Sequence, residues 1–328
     1  MLKVLICGNI VWAHKDVETM ISPLAEVLNL SSMSRAEFCQ DCKPGGKYSE
    51  IMGIYRHNSS SSKIGTYDAE LVHSLPSGVK WIAHNGSGYD QIDIEACRAR
   101  GILVSNTPGA VDDGTATTAL YLIISALRQF ARAEKNLAGG DWKRGLTPAH
   151  DPSSRTLGIL GFGGIGLRAA ELTRGFPMRV VYHSRKRAVN EPEWAEYYAD
   201  FKEFLEATDI LSIHVPLNME TCGLVGEKEI RTLRKGSVIV NTARGKILDE
   251  DALIRALADG HLYAAGLDVY PDEPKINPKL LTFPNVTLLP HMGTETEESQ
   301  HRMEIRALQN LQDYLKGGKG KDIVPELR

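Results

Sequence analysis

Residues 156–166 read Thr-Leu-Gly-Ile-Leu-Gly-Phe-Gly-Gly-Ile-Gly, and the fold turns on this stretch. Thr156–Leu160 is a short apolar run of strand character. Gly161, Gly163 and Gly166 follow in the spacing GxGxxG, and helical periodicity starts at Leu167. Between a strand and a helix each glycine has a physical task. Gly161 makes the tight turn, Gly163 lets the backbone approach a pyrophosphate, and Gly166 allows close packing of helix on strand. The N–H groups around Gly164 and Ile165 would face the phosphates from the positive end of the helix. The pattern predicts a dinucleotide site at the first crossover of a Rossmann sheet.

Toward the C-terminus the strand pattern repeats at Arg179–Tyr182, Ile210–His214, Ser237–Asn241, Ala264–Val269 and Val286–Leu289, with helices such as Lys228–Leu233 and Glu250–Asp259 between. Toward the N-terminus a separate series carries strands at Lys3–Cys7, Glu50–Tyr55, Val79–His84 and Ile102–Ser105. Its helices are predicted at Asp16–Leu30, Tyr67–Leu75 and Ile92–Arg100, the last stopped by Gly101. Thr107-Pro108-Gly109 separates the two series. Gly114–Ala138 then reads as one long helix whose broad apolar stripe suits a core element and a dimer surface, and Thr294–Lys316 as a closing helix. Short strands alternating with helices make the chain α/β, with two doubly wound parallel sheets.

Length agrees, since 328 residues at roughly 150 per domain predict about two domains. Lysines and arginines number 38 against 41 aspartates and glutamates, so the basic excess of a nucleic-acid binder is missing. The longest apolar run, Ala119–Leu127, falls far short of the roughly 20 residues that span a bilayer. The opening run Val4–Cys7 is too short for a signal peptide. Five cysteines are an odd, sparse set that suits a reducing compartment, and a cytoplasmic location is expected. Cys39 and Cys42 form a lone CxxC without further ligands at zinc spacing, so no metal is expected.

The second strand of the glycine-bearing series runs into His183-Ser184-Arg185-Lys186-Arg187, with no acid before Glu191. An NAD enzyme usually places an acid there for the ribose hydroxyls. A guanidinium and a serine hydroxyl suit a 2′-phosphate instead, so Ser184, Arg185 and Lys186 favour NADP, with NADPH preferred over NADH. Three further segments fall at strand ends, where such sheets hold ligands. These are Asn241-Thr242-Ala243-Arg244-Gly245, Gly266-Leu267-Asp268-Val269 leading to Glu273-Pro274, and Leu289-Pro290-His291-Met292-Gly293. An arginine, a glutamate and a histidine from separate strand ends are expected to converge on one cleft.

These segments, with Asn85-Gly86-Ser87-Gly88-Tyr89-Asp90 and His214-Val215-Pro216-Leu217, resemble the D-isomer-specific 2-hydroxyacid dehydrogenases over nearly the whole chain. The basic strand ending, Pro290-His291-Met292-Gly293-Thr294 and Ile323-Val324-Pro325-Glu326-Leu327 look most like fungal glyoxylate and hydroxypyruvate reductases. The resemblance implies a Rossmann NAD(P)-binding domain, residues 107–293, inserted into a flavodoxin-like substrate domain made of residues 1–106 and 294–328. It implies a cleft between domains that closes over nicotinamide and substrate, and a homodimer.

The family's roles then carry over position by position. Arg244 is similar to the arginine that binds the substrate carboxylate and polarises the 2-oxo group. Backbone N–H groups of Ser87 and Gly88 hold the other side of the carboxylate. His291 resembles the general acid and Glu273 its hydrogen-bonded partner, whose charge favours the imidazolium form. Asp268 resembles a residue at the nicotinamide end, and Val215, Pro216, Thr242, Ala243 and Gly293 join the cofactor site. The implied reaction is NADPH-dependent reduction of a 2-oxo acid to the D-2-hydroxy acid, with glyoxylate and hydroxypyruvate first. Two alternatives stand beside it: a reductase of bulky or aromatic 2-oxo acids of the mandelate type, and a dinucleotide-sensing, corepressor-like binding protein. Membrane and nucleic-acid partners are not expected. Gly114–Thr118 has no glutamate where many members carry one, and Thr294 stands where Ser or Ala is frequent.

Overall fold

The structure is a computed structural model that describes every residue except Lys319. It separates into two compact units, residues 1–111 with 296–328 and residues 112–295. The chain therefore crosses between units at Val111/Asp112 and Glu295/Thr296, a few residues beyond each crossing expected from sequence.

The first unit is built on β1 (Leu2–Cys7), β2 (Ala25–Asn29), β3 (Ile51–His57), β4 (Trp81–Asn85) and β5 (Leu103–Ser105), all parallel, in the order β2-β1-β3-β4-β5. That is the flavodoxin-like order. Side chains alternate between two buried faces, as a sheet covered on both sides requires. Leu5, Cys7, Ile54 and Ile82 join one core with Phe38, Leu71 and Cys97 of the helices Arg35–Asp41, Ala69–Ser74 and Ile94–Ala99. Val4, Ile6, Tyr55, Trp81 and Ala83 join the other, under Ala307, Leu308 and Leu311 of the helix Glu297–Leu315. Polar side chains start these helices: Ser34, Asp68, Asp93 and Thr296 each accept a first-turn N–H.

The final helix also fixes the loop after β1. Glu304, buried, accepts from the N–H groups of Val11, Trp12 and Ala13, each at 2.8 Å. Removing that acceptor leaves the part-buried N–H groups of Val11 and Trp12 and the buried N–H of Ala13 without their carboxylate. Glu304→Ala is expected to destabilise the protein by about 3 kcal/mol, read as a lower urea midpoint. An unmoved midpoint would show the contact to be dispensable.

The second unit carries β6 (Thr156–Leu160), β7 (Arg179–His183), β8 (Ala195–Tyr197), β9 (Ile210–Ile213), β10 (Ser237–Asn241), β11 (Leu262–Leu267) and β12 (Val286–Leu288). They form one parallel sheet in the order β12-β11-β10-β9-β6-β7-β8. The order reverses between β6 and β9, which makes the crevice beyond their carboxyl ends the place for a ligand. One face packs Leu211, Ile213, Ile239 and Ala265 on Leu205, Ile230 and Leu253 of flanking helices, and the other packs Ile159, Val180 and Val240 on Leu122 and Ile123.

Two expectations fail. Asp16–Leu30 is not a helix: helical turns stop at Ile21, and Ala25–Asn29 pairs with β1 as an edge strand. Pro23 supplies the reason, because it lacks an N–H and disfavours helical geometry in the residue before it. Gly114–Ala138 is not one helix either. Asp112–Arg128 and Phe130–Ala138 are separated by Gln129 in the left-handed region at φ 56°. Its side-chain amide reaches Tyr263 Oη at 3.0 Å, and no residue of the second segment is buried. The strand Ala195–Tyr197 was not expected at all.

Candidate active site

The glycine turn joins β6 to the helix Gly164–Leu172. Gly161 sits at φ 95°, a region that disfavours side chains, and a Cβ there would stand 2.8 Å from Val215 N at the end of β9. A Cβ on Gly166 would lie 2.1 Å from Gly161 O, so only glycine lets helix and turn approach this closely. A Cβ on Gly163 would meet nothing within 4 Å, which leaves the backbone open at the helix N-terminus. Ile165 continues the same first turn. The turn, the open helix end and the buried, unpartnered Thr242 Oγ1 fit a dinucleotide's phosphates and polar groups.

β9 ends beside this turn. His214 N donates to Leu160 O at 2.7 Å, and Val215 and Pro216 follow. The His214 ring pairs through Nε2 with Ser212 Oγ at 2.7 Å, and burial pushes its pKa down to about 4, so the ring is neutral.

At the end of β7, Ser184 Oγ donates to Lys186 O at 2.6 Å, while Arg185 and Lys186 are exposed. Arg185 lies 3.7 Å from Glu220. Glu191, the first acid after the strand, is held by Arg187 and by Tyr182 Oη, which draw its carboxylate below the usual range.

Arg244, Glu273 and His291 come from the ends of the neighbouring strands β10, β11 and β12. Asn241 folds the loop after β10: its Oδ1 accepts from Ala243 N at 3.0 Å and its Nδ2 donates to Arg244 O at 2.9 Å. Arg244 Nη1 donates to Ala243 O at 2.7 Å. Glu273 Oε1 accepts from Tyr270 N at 2.9 Å, and Glu273 Oε2 lies 2.7 Å from His291 Nδ1. Burial alone would raise the Glu273 pKa. Hydrogen bonds from His291 and Tyr270 N–H, with the charges of His291 and Arg244, lower it instead. Because the carboxylate accepts at Nδ1, that nitrogen carries a proton and Nε2 is the opposite end of the ring.

His291 has a left-handed backbone, φ 57°, uncommon for a residue with a side chain. Asp268 explains how it persists. Its buried carboxylate accepts from Met292 N at 2.6 Å and Gly293 N at 2.9 Å, and its carbonyl accepts from His291 N at 2.8 Å. Thr115 Oγ1 adds a hydrogen bond to Gly293 O at 3.2 Å. Asp268 thus braces the loop that presents the histidine, which its expected place at the nicotinamide end did not suggest. Thr115 was missed altogether.

Ser87 and Gly88 lie in the first unit, in the half-buried loop after β4. Neither N–H donates to any described residue. Among the described residues no cluster of His, Cys, Asp and Glu is placed to hold a metal, and no helix is long and apolar enough to cross a membrane.

Residues 120–293 match the family described as D-isomer specific 2-hydroxyacid dehydrogenase, NAD binding domain. The chain belongs to that family. It is 43% identical over 326 residues to 4-methyl-2-oxopentanoate reductase A of Aspergillus oryzae, covering 99% of this chain and 98% of the relative. The crystal structure of a glyoxylate reductase from Paecilomyes thermophila superposes with a TM-score of 0.95 at 42% identity, over 100% of this chain and 99% of that one. The holo form of Rhodotorula graminis D-mandelate dehydrogenase gives a TM-score of 0.92 at 30% identity, over 99% and 97%. As a 2-hydroxyacid dehydrogenase, the chain carries its glycine turn and its Arg-Glu-His set in one unit.

Proposed function

We propose that the protein reduces a short 2-oxo acid to the D-2-hydroxy acid, using NADPH in preference to NADH, with glyoxylate and hydroxypyruvate as first substrates. The observation that carries this reading is the 2.7 Å Glu273–His291 pair at strand ends next to the one bearing Arg244. When bound, the dinucleotide supplies the hydride. His291 Nε2 gives the proton to the carbonyl oxygen and recovers it in the oxidation direction. Glu273 holds the ring and balances the imidazolium charge. Arg244 grips the substrate carboxylate with its fixed fork of donors and polarises the 2-oxo group, and Ser87 and Gly88 offer backbone N–H groups to the same carboxylate.

The test is loss of 340 nm absorbance on mixing the protein with NADPH or NADH and glyoxylate, hydroxypyruvate, 4-methyl-2-oxopentanoate or phenylglyoxylate. Turnover of the first two supports the proposal. The 43% identity to a 4-methyl-2-oxopentanoate reductase favours, as a second reading, the same chemistry on a branched side chain. Activity confined to the bulky acids would move the substrate there. No turnover would overturn the enzymatic reading.

The NADPH preference rests on charge. Arg185 is exposed beyond β7, and the nearby acid Glu191 is already paired with Arg187 and Tyr182. Arg185→Ala is expected to cut the NADPH-over-NADH ratio of kcat/KM by roughly tenfold, the worth of one charge-assisted hydrogen bond. A ratio left unchanged would remove Arg185 from cofactor selection.

A further inference from the structure

The carboxylate role given above to Ser87 and Gly88 depends on where their N–H groups point, and in a planar trans peptide that is set by the carbonyl on the opposite side. All three carbonyls of the loop are tied down. Gly86 O accepts from Thr107 N at 3.1 Å, which orients the Ser87 N–H. Ser87 O accepts from Asn106 Nδ2 at 2.7 Å, which orients the Gly88 N–H. Gly88 O lies 3.0 Å from His84 Nε2. The loop therefore holds its acceptors inward, while the Ser87 and Gly88 N–H groups have no partner among the described residues.

His84 can hold Gly88 O only if its proton is on Nε2, and the neighbouring strand enforces this. Arg56 on β3 is the direct cross-strand partner of His84 on β4. Its Nη1 lies 3.2 Å from His84 Nδ1. A guanidinium has donors only, so Nδ1 must accept and the proton must sit on Nε2. Arg56 is itself fully buried and held by Asn58 Oδ1, Ser61 Oγ at 3.0 Å and Gln91 Oε1 at 2.6 Å, with its charge over the Tyr67 ring. Gly86 fits the same arrangement, because a Cβ there would stand 2.6 Å from His84 Nε2.

We infer that Asn106 and His84, the latter with its tautomer set by Arg56, are positioning residues that aim the Ser87 and Gly88 N–H groups at the substrate carboxylate. None of them touches the substrate; each acts through a backbone carbonyl. The inference rests on the carboxylate role of the loop. It is tested with Asn106→Asp, which turns the donor into an acceptor at equal size, His84→Phe, which removes the donor, and His84→Gln, which restores one.

Kinetics with glyoxylate and 4-methyl-2-oxopentanoate, inhibition by oxamate, and dinucleotide binding by fluorescence are measured on each full-length variant. Asn106→Asp and His84→Phe are expected to raise KM and the oxamate inhibition constant about tenfold or more, as for a lost hydrogen bond to a charged ligand. The kcat should stay within about threefold and dinucleotide affinity should hold, the signature of uniform binding removed. His84→Gln should recover most of the KM. If His84→Phe does not fold, Asn106→Asp decides alone, through the same split of KM from kcat. An active wild type whose KM is unmoved in these variants, or whose kcat falls with KM unchanged, overturns the positioning role. A wild type that turns over no 2-oxo acid overturns the functional reading beneath it.

Discussion

His291→Asn is expected to lower kcat by roughly 100- to 10,000-fold, the range associated with loss of a general acid, while dinucleotide affinity stays near that of the wild type. Asparagine is chosen for the backbone. His291 sits at φ 57°, and after glycine, asparagine tolerates that region best. The bracing by Asp268 engages the main chain at residues 291, 292 and 293, so it survives the change. What disappears is the imidazole ring proposed as the general acid. A stopped-flow comparison of NADPH oxidation, with binding followed by fluorescence, checks this, and a variant that keeps more than a tenth of kcat would exclude His291 as the acid.

Arg244→Ala should act on a different parameter. The guanidinium is proposed both to hold the carboxylate and to polarise the carbonyl, so its loss weakens the ground state and the transition state together. A fall in kcat/KM of roughly 100- to 1,000-fold is expected, as for two charge-assisted hydrogen bonds removed at once. Arg244→Lys keeps the charge and loses the planar fork, and should recover only part of the rate. A 2-oxo acid KM that does not move in Arg244→Ala would sink the assignment. Loss of dinucleotide binding in the same variant would instead point to damage at the neighbouring Thr242–Ala243 loop.

The parts of this site that are legible in sequence are those with a local steric or chemical signature. Gly161, Gly163 and Gly166 announce themselves because a turn, an open backbone and a close packing must all occur within six residues. Arg244, Glu273 and His291 stand out as candidates because each follows an apolar strand and a parallel sheet gathers its ligands at strand ends. Elements whose existence depends on distant partners are not visible. The break at Gln129 is secured by Tyr263, 134 residues away. The edge strand Ala25–Asn29 forms because β1 offers it a free side, and only Pro23 hinted that the preceding helix must stop. Asp268 is the instructive case. Its strand-end position makes it a candidate, but its partners are main-chain N–H groups 24 and 25 residues later, and no pattern in the side chains reveals that. The Arg56–His84 relay is hidden for the same reason, since parallel register alone sets the two residues side by side.

The first unit is made from both ends of the chain, and that has a consequence for biosynthesis. Translation runs from the N-terminal to the C-terminal side, so residues 112–295 emerge whole, with all seven of their strands, before Glu297–Leu315 has been made. Domains fold as units as they leave the ribosome, so the inserted unit is free to fold first. The five strands synthesised earliest must wait, with Val4, Ile6, Tyr55, Trp81 and Ala83 lacking the helix that buries them. An uncovered apolar sheet face of this kind is what nascent-chain chaperones bind. The helix Glu297–Leu315, made only after the whole inserted unit, thus ends the exposure of that apolar face.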